Sequence, residues 1–127
     1  QLFASQAFEP GGHISEKSFT DHREFFLGKS VKKIEKEMNK HGYKTHIDSS
    51  VHIKSKAKKI VVDNSSKTRN VSTILVSPGS KRHGETPYVK ISTKDSGKFK
   101  VASRESEYKT DGKEKALILF ARRKKNG

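Results

Sequence analysis

The run Ser30-Val31-Lys32-Lys33-Ile34-Glu35-Lys36-Glu37-Met38-Asn39-Lys40-His41-Gly42, followed by Tyr43-Lys44-Thr45-His46-Ile47, contains the change of period that decides the fold. Val31, Ile34 and Met38 recur at helical spacing, and Lys and Glu fill the other faces, as in a helix that buries one stripe. Ser30 precedes it with a hydroxyl suited to an orphan N–H of the first turn. Gly42 stands where a left-handed C-terminal cap belongs. A helix is therefore expected from Ser30 to His41. Beyond Gly42 the pattern alternates: Tyr43, Thr45 and Ile47 face one way, and a period of two belongs to strands.

On the N-terminal side, Glu9-Pro10-Gly11-Gly12 is turn chemistry and reads as a hinge. Asp21, with Glu24 three residues later, resembles a capping box ahead of Phe25, Phe26 and Leu27, which predicts a short first helix. On the C-terminal side, Val51 and Ile53, then 60–62, 71–76, 88–93, 99–101 and 116–120, read as short strands. Asn64-Ser65-Ser66, Pro78-Gly79, Ser96-Gly97 and Asp111-Gly112 separate them and favour hairpins. The expected fold is α+β: N-terminal helices packed on a twisted antiparallel β-sheet of four to six strands. One domain spans 1–127, with a lead-in at 1–12, a helical part at 13–42, the antiparallel sheet at 43–121 and a basic tail at 122–127.

Charge narrows the function. Lys and Arg number 28 against 14 Asp and Glu, a net charge of +14 on 127 residues. Such an excess costs the compact state through self-repulsion and signals a polyanionic partner, nucleic acid first. Hydrophobic residues make up 30% of the chain but fall in periodic runs, so a folded domain is expected rather than a disordered basic tail. With no Cys, disulfides, zinc fingers and Cys-ligated deaminase sites are excluded. No apolar run approaches the roughly 18 residues that span a bilayer, so no membrane span is expected.

The chemistry-bearing stretch is Ser77-Pro78-Gly79-Ser80-Lys81-Arg82-His83-Gly84-Glu85-Thr86-Pro87, leading into Tyr88-Val89-Lys90-Ile91-Ser92-Thr93. A cationic, His-bearing loop runs into a strand whose residues 88, 90 and 92 share a face. Cleaving RNA by its own 2′-hydroxyl needs a base, an acid, and cations on the developing phosphorane. His83, between Arg82 and Glu85, is the candidate acid or base, against the plain alternative of a surface loop histidine. Lys90 is the candidate phosphate cation, Ser92 and Thr93 are hydroxyl donors, and His13 after Gly11-Gly12 is a second histidine to weigh. Arg69, Lys81, Arg82, Lys54 and His46 read as RNA contacts, and Tyr88 as a platform for a base. Asp and Glu are scattered, so the clustered carboxylates of a two-metal site are not expected, and no cofactor is expected.

In layout the chain resembles the C-terminal toxin domains of bacterial polymorphic and contact-dependent growth-inhibition systems, and within them the metal-independent ribonuclease superfamily of barnase, EndoU, colicin nucleases and RelE. The resemblance rests on a small, basic, Cys-free module with a Pro-Gly-Gly lead-in, helices before an antiparallel sheet, and His, Lys, Arg and Ser/Thr presented from that sheet. It implies a metal-independent endoribonuclease, monomeric when free, acting on tRNA or rRNA. It also implies secretion or cell-surface delivery into the cytoplasm of a target bacterium, and a cognate acidic immunity protein. His83, Lys90, Ser92 and Thr93 carry over as residue types. A metal-dependent DNase toxin and a non-catalytic RNA-binding module are the alternatives.

Overall fold

The structure, a computed structural model, describes residues 7–27, 29–48, 57–77, 87–104 and 117–122. Among these residues two α-helices, α1 (Glu16–Asp21) and α2 (Val31–Lys40), precede six strands: β1 (Thr45–Asp48), β2 (Lys58–Val62), β3 (Val71–Ser77), β4 (Tyr88–Thr93), β5 (Lys98–Arg104) and β6 (Leu117–Arg122). The strands form one sheet in chain order, so the α+β class holds.

Helix α2 ends as its sequence dictates. Ser30 Oγ accepts the Lys33 N–H at 3.2 Å. At the other end Gly42 takes φ 89°, which lets the Gly42 N–H reach the Asn39 carbonyl and the Tyr43 N–H reach the Met38 carbonyl, both at 3.1 Å. This paired closure satisfies carbonyls the helix leaves open. Helix α1 departs from expectation. Its cap is Ser15, whose Oγ accepts the Ser18 N–H at 3.0 Å while Ser18 Oγ accepts the Ser15 N–H at 2.9 Å. Asp21 instead closes the helix and pairs with Lys17 at 2.7 Å. A serine does at the third helical position what Glu or Gln usually does.

Residues 7–12 are not a hinge. Ala7 and Phe8 are fully buried, and the Gly12 carbonyl accepts the Tyr43 hydroxyl at 2.6 Å. Gly12 has φ 98°, and a Cβ there would lie 2.9 Å from the His41 carbonyl oxygen. The glycine is needed because the chain is seated tightly.

The helices cover one face of the sheet. Ile60, Ile74, Val89, Ile91, Phe99 and Val101 from the strands meet Phe19, Phe26, Val31, Ile34 and Met38 from the helical part. Phe19 stacks on Phe99 with ring centroids 5.1 Å apart, and Phe26 lies 5.7 Å from Phe19 and 6.1 Å from Phe8. Aromatic pairs of this kind add about 0.5–1.5 kcal/mol each beyond the area they bury.

The sheet is mixed rather than antiparallel throughout: β1 to β5 pair antiparallel, but β6 pairs parallel to β5, Phe99 opposite Leu117 and Val101 opposite Leu119. A tight turn cannot join parallel neighbours, which need about a dozen residues between them. Residues 105–116, with Asp111-Gly112 among them, separate β5 from β6 and lie outside the described residues, and the parallel pairing means that the two strands are not the antiparallel hairpin expected there. Val51 and Ile53 lie outside the described residues, as does the tail beyond Arg122, which is itself the last residue of β6.

Candidate nucleic-acid interface

Alternation along paired strands sorts the side chains opposite the helices. On β4 these are Tyr88, Lys90 and Ser92, since Val89 and Ile91 are in the core. Register carries the same face to Lys98, Lys100 and Ala102 on β5, to Thr73, Leu75 and Ser77 on β3, to Lys59 and Val61 on β2, and to His46 and Asp48 on β1. Lys90 stands directly opposite Lys100 and beside Leu75, and Lys100 Nζ lies 4.2 Å from the centre of the Tyr88 ring. Lys100 is only 6% exposed. Residues two apart on a strand are about 7 Å apart and neighbouring strands about 5 Å, so Tyr88, Lys90 and Lys100 form one cluster, while Ser92 lies about 7 Å beyond Lys90 and about 14 Å from Tyr88.

Of the residues expected to act together, the geometry separates two. Thr93 begins the turn after β4, where its hydroxyl donates to the Gly97 carbonyl at 2.6 Å and accepts the Ser96 N–H at 2.9 Å. It lies five residues from Tyr88, about 17 Å along the strand. His13 is at that same far end. Its Nδ1 meets Glu9 Oε1 at 2.9 Å and its Nε2 meets Asp95 Oδ2 at 3.2 Å, while Asp95 Oδ1 accepts from Asn70 at 2.7 Å. With both ring nitrogens committed to carboxylates, His13 ties the N-terminal segment to the β4–β5 turn and has no nitrogen for a substrate proton. Arg69 also belongs to that end: its Nε donates to the Asn64 carbonyl at 3.2 Å, beside Gly12 and Gly42. His83, Glu85, Lys81, Arg82 and Lys54 lie outside the described residues. Ser77 and Pro87, which bracket residues 78–86, are at the Tyr88 end of the face, Ser77 being paired with Tyr88.

His46 is exposed, and its Nδ1 pairs with the Asp63 carboxylate at 2.9 Å. The hydrogen bond to Asp63 and its charge raise the histidine pKa above the ordinary value. Among the described residues its Nε2 makes no hydrogen bond, so His46 can face a ligand. By register His46 lies across from Ser92, three strand spacings or about 14 Å away, and farther still from Lys90, too far for His46 and Lys90 to serve one phosphate.

The His13 lock makes stability depend on pH. Burial pulls its pKa down, but the hydrogen bonds and charges of Glu9 and Asp95 outweigh this and leave it raised above 6.5. The hydrogen bond from Asn70 leads in holding Asp95 below 3.8, against a smaller opposing effect of burial. A raised folded pKa contributes stability that is complete below the unfolded value and is lost as pH rises through the folded one; for Asp95 the contribution is present above 3.8 and lost on acidification. The lock is therefore strongest between 3.8 and 6.5. Urea midpoints should fall between about pH 6 and about pH 8, and His13→Gln should flatten part of that fall, the remainder belonging to His46. An unchanged slope would show that the lock contributes nothing.

Lys98, Lys100, Asn70 and the partners of His13 were not singled out from sequence. The alternation Lys98-Phe99-Lys100-Val101 was the available signal for the two lysines. Among the described residues no group of three or more His, Asp or Glu converges to hold a metal ion, and no helix is long and apolar enough to cross a membrane. Comparison with known protein families, curated proteins and solved structures finds no match.

Proposed function

We propose that this domain is a metal-independent endoribonuclease of the toxin type, cleaving tRNA or rRNA. The observation that carries the reading is the cationic cluster of Lys90 and Lys100 with Tyr88, on the face where the segment bearing His83 leaves Ser77 and returns at Pro87. In this reading a base takes the 2′-hydroxyl proton, O2′ attacks phosphorus and the bond to O5′ breaks. An acid protonates the leaving oxygen, and the products are a 2′,3′-cyclic phosphate and a 5′-hydroxyl. His83 supplies one of the proton transfers, assisted by Glu85. The Lys90 amine meets charge that grows on the phosphoryl oxygens, with the buried Lys100 adding to the local positive field, so the pair favours the transition state over the ground state. Tyr88 and Ser92 orient the strand, and Lys59, Lys98 and His46 hold flanking phosphates, setting affinity and its salt dependence. An acidic immunity protein covering this face would silence the domain in the cell that makes it.

The test is incubation of the purified domain with total cellular RNA and with plasmid DNA, each with and without EDTA, read on denaturing gels. Discrete RNA fragments that persist in EDTA are expected. Cleaved DNA, lost on chelation, would replace the reading with a metal-dependent DNase, and shifted but intact RNA would replace it with a binding module. Lys90→Ala should lower the single-turnover rate about 100-fold while weakening RNA binding far less. Equal losses in both would make Lys90 a docking residue only.

A further inference from the structure

Where the start of α2 meets the ends of β2, β3 and β4, the structure holds a cavity of about 310 Å³. Leu27, Val31, Val76 and Val89 form its apolar wall, and Leu27 and Val76 are only partly buried, so the wall is reached from solvent. Among the described residues, the charged ones lining it are Lys29 and Lys58, with no carboxylate beside them. Ser77 and Pro87, the two brackets of residues 78–86, line it as well.

We infer that this cavity is a base-binding subsite: it takes one unpaired nucleobase of an RNA strand, whose phosphate is held by Lys29 and Lys58. The inference rests on the ribonuclease reading above. The volume is at the lower limit of small-ligand sites, about 300–1,000 Å³, which suits one base with its ribose; a docked peptide helix needs an elongated groove. A nucleobase has apolar faces that such a wall accepts, and single-stranded RNA is recognised by bases splayed out into protein pockets. Two amines, with no carboxylate among the described lining residues, favour an anionic occupant, and a nucleotide combines the apolar ring and the anion in one unit. Tyr88 links this cavity to the chemistry. It lies in the cavity's lining, yet by register it belongs to the face that presents Lys90. A strand seated here would pass round the β3–β4 end of the sheet and lay its next phosphate against the lysine cluster. Duplex RNA, whose bases stay stacked, would be a poor substrate.

The experiment is a titration of methyl-labelled domain with the four nucleoside 3′-monophosphates, with inorganic phosphate and ribose 5-phosphate as separate probes, followed by NMR. At least one nucleotide should shift the methyl signals of Leu27, Val31, Val76 and Val89, with neither phosphate probe doing so. Lys58→Ala, at an exposed strand position, should weaken that nucleotide about tenfold, the loss of one charge-assisted contact. Methyl signals unmoved by every nucleotide would overturn the subsite, as would equal shifts from inorganic phosphate, or shifts from a fatty acid or an acidic peptide and none from nucleotides. Total RNA digested in parallel separates the two ideas. Cleavage without methyl shifts removes the subsite and leaves the ribonuclease standing, and shifts without cleavage keep the base site and remove the enzyme.

Discussion

Asn70→Ala should lower the unfolding free energy by about 2–6 kcal/mol, from two buried backbone groups left without partners at about 1–3 kcal/mol each. Asn70 is fully buried just before β3. Its amide group donates to the Ile14 carbonyl at 2.8 Å and to Asp95 Oδ1 at 2.7 Å, and its Oδ1 accepts the Ile14 N–H at 2.8 Å. One side chain thus completes the backbone of a buried residue 56 positions away. Alanine leaves the Ile14 N–H and carbonyl inside the protein without partners, each at a desolvation cost of about 1–3 kcal/mol. It also removes the donor that orients Asp95 toward His13. Asn70→Asp should be no milder: it keeps an acceptor for the Ile14 N–H, loses both donors and brings a second carboxylate against Asp95. Equilibrium unfolding in urea, with midpoint and slope fitted together, gives the measurement. A loss under about 1 kcal/mol would mean that water replaces the amide, since a bridging water is nearly as good as a direct bond.

The same residue explains what the sequence can and cannot reveal. Helix α2 was legible to its caps because everything that specifies it, from Ser30 to Tyr43, is local. The strand face at Tyr88, Lys90 and Ser92 was legible because alternation is local too. The cap of α1 was misplaced because Ser15 and Ser18 perform a role for which Glu is the usual mark. The remaining differences come from long range. Gly11-Gly12 looks like a hinge until Tyr43 and the His41 carbonyl close over Gly12. His13 looks free until Asp95, 82 residues later, takes its second nitrogen. The parallel placement of β6 depends on which edge of the sheet is open when the chain returns, a property of the assembled sheet and of no segment within it.

The second large effect is expected at His83. His83→Ala should lower RNA cleavage by about 100- to 10,000-fold, the contribution of a positioned acid or base, while leaving RNA affinity and fold nearly unchanged. The argument proceeds through the other histidines. His13 has both nitrogens bound to carboxylates. His41 caps α2, with its ring 5.3 Å from Phe8 and its Nε2 3.5 Å from Glu37, so it is committed to the helical side of the fold. His22 ends α1 on that side. His46 is on the correct face, yet more than three strand spacings from the lysine cluster. His52 and His83 lie outside the described residues, but only His83 belongs to the segment whose ends, Ser77 and Pro87, meet beside Tyr88. In the sequence its neighbours Lys81 and Arg82 are cations and Glu85 is two residues away, the residue types that the proposed cleavage needs. Single-turnover cleavage of a defined RNA, measured beside binding of a 2′-deoxy analogue that cannot react, separates chemistry from affinity. Should His83→Ala cleave at the wild-type rate and His46→Ala lose activity instead, the reacting phosphodiester lies over β1 and β2, and the lysine pair of β4 and β5 holds a phosphate upstream or downstream of it.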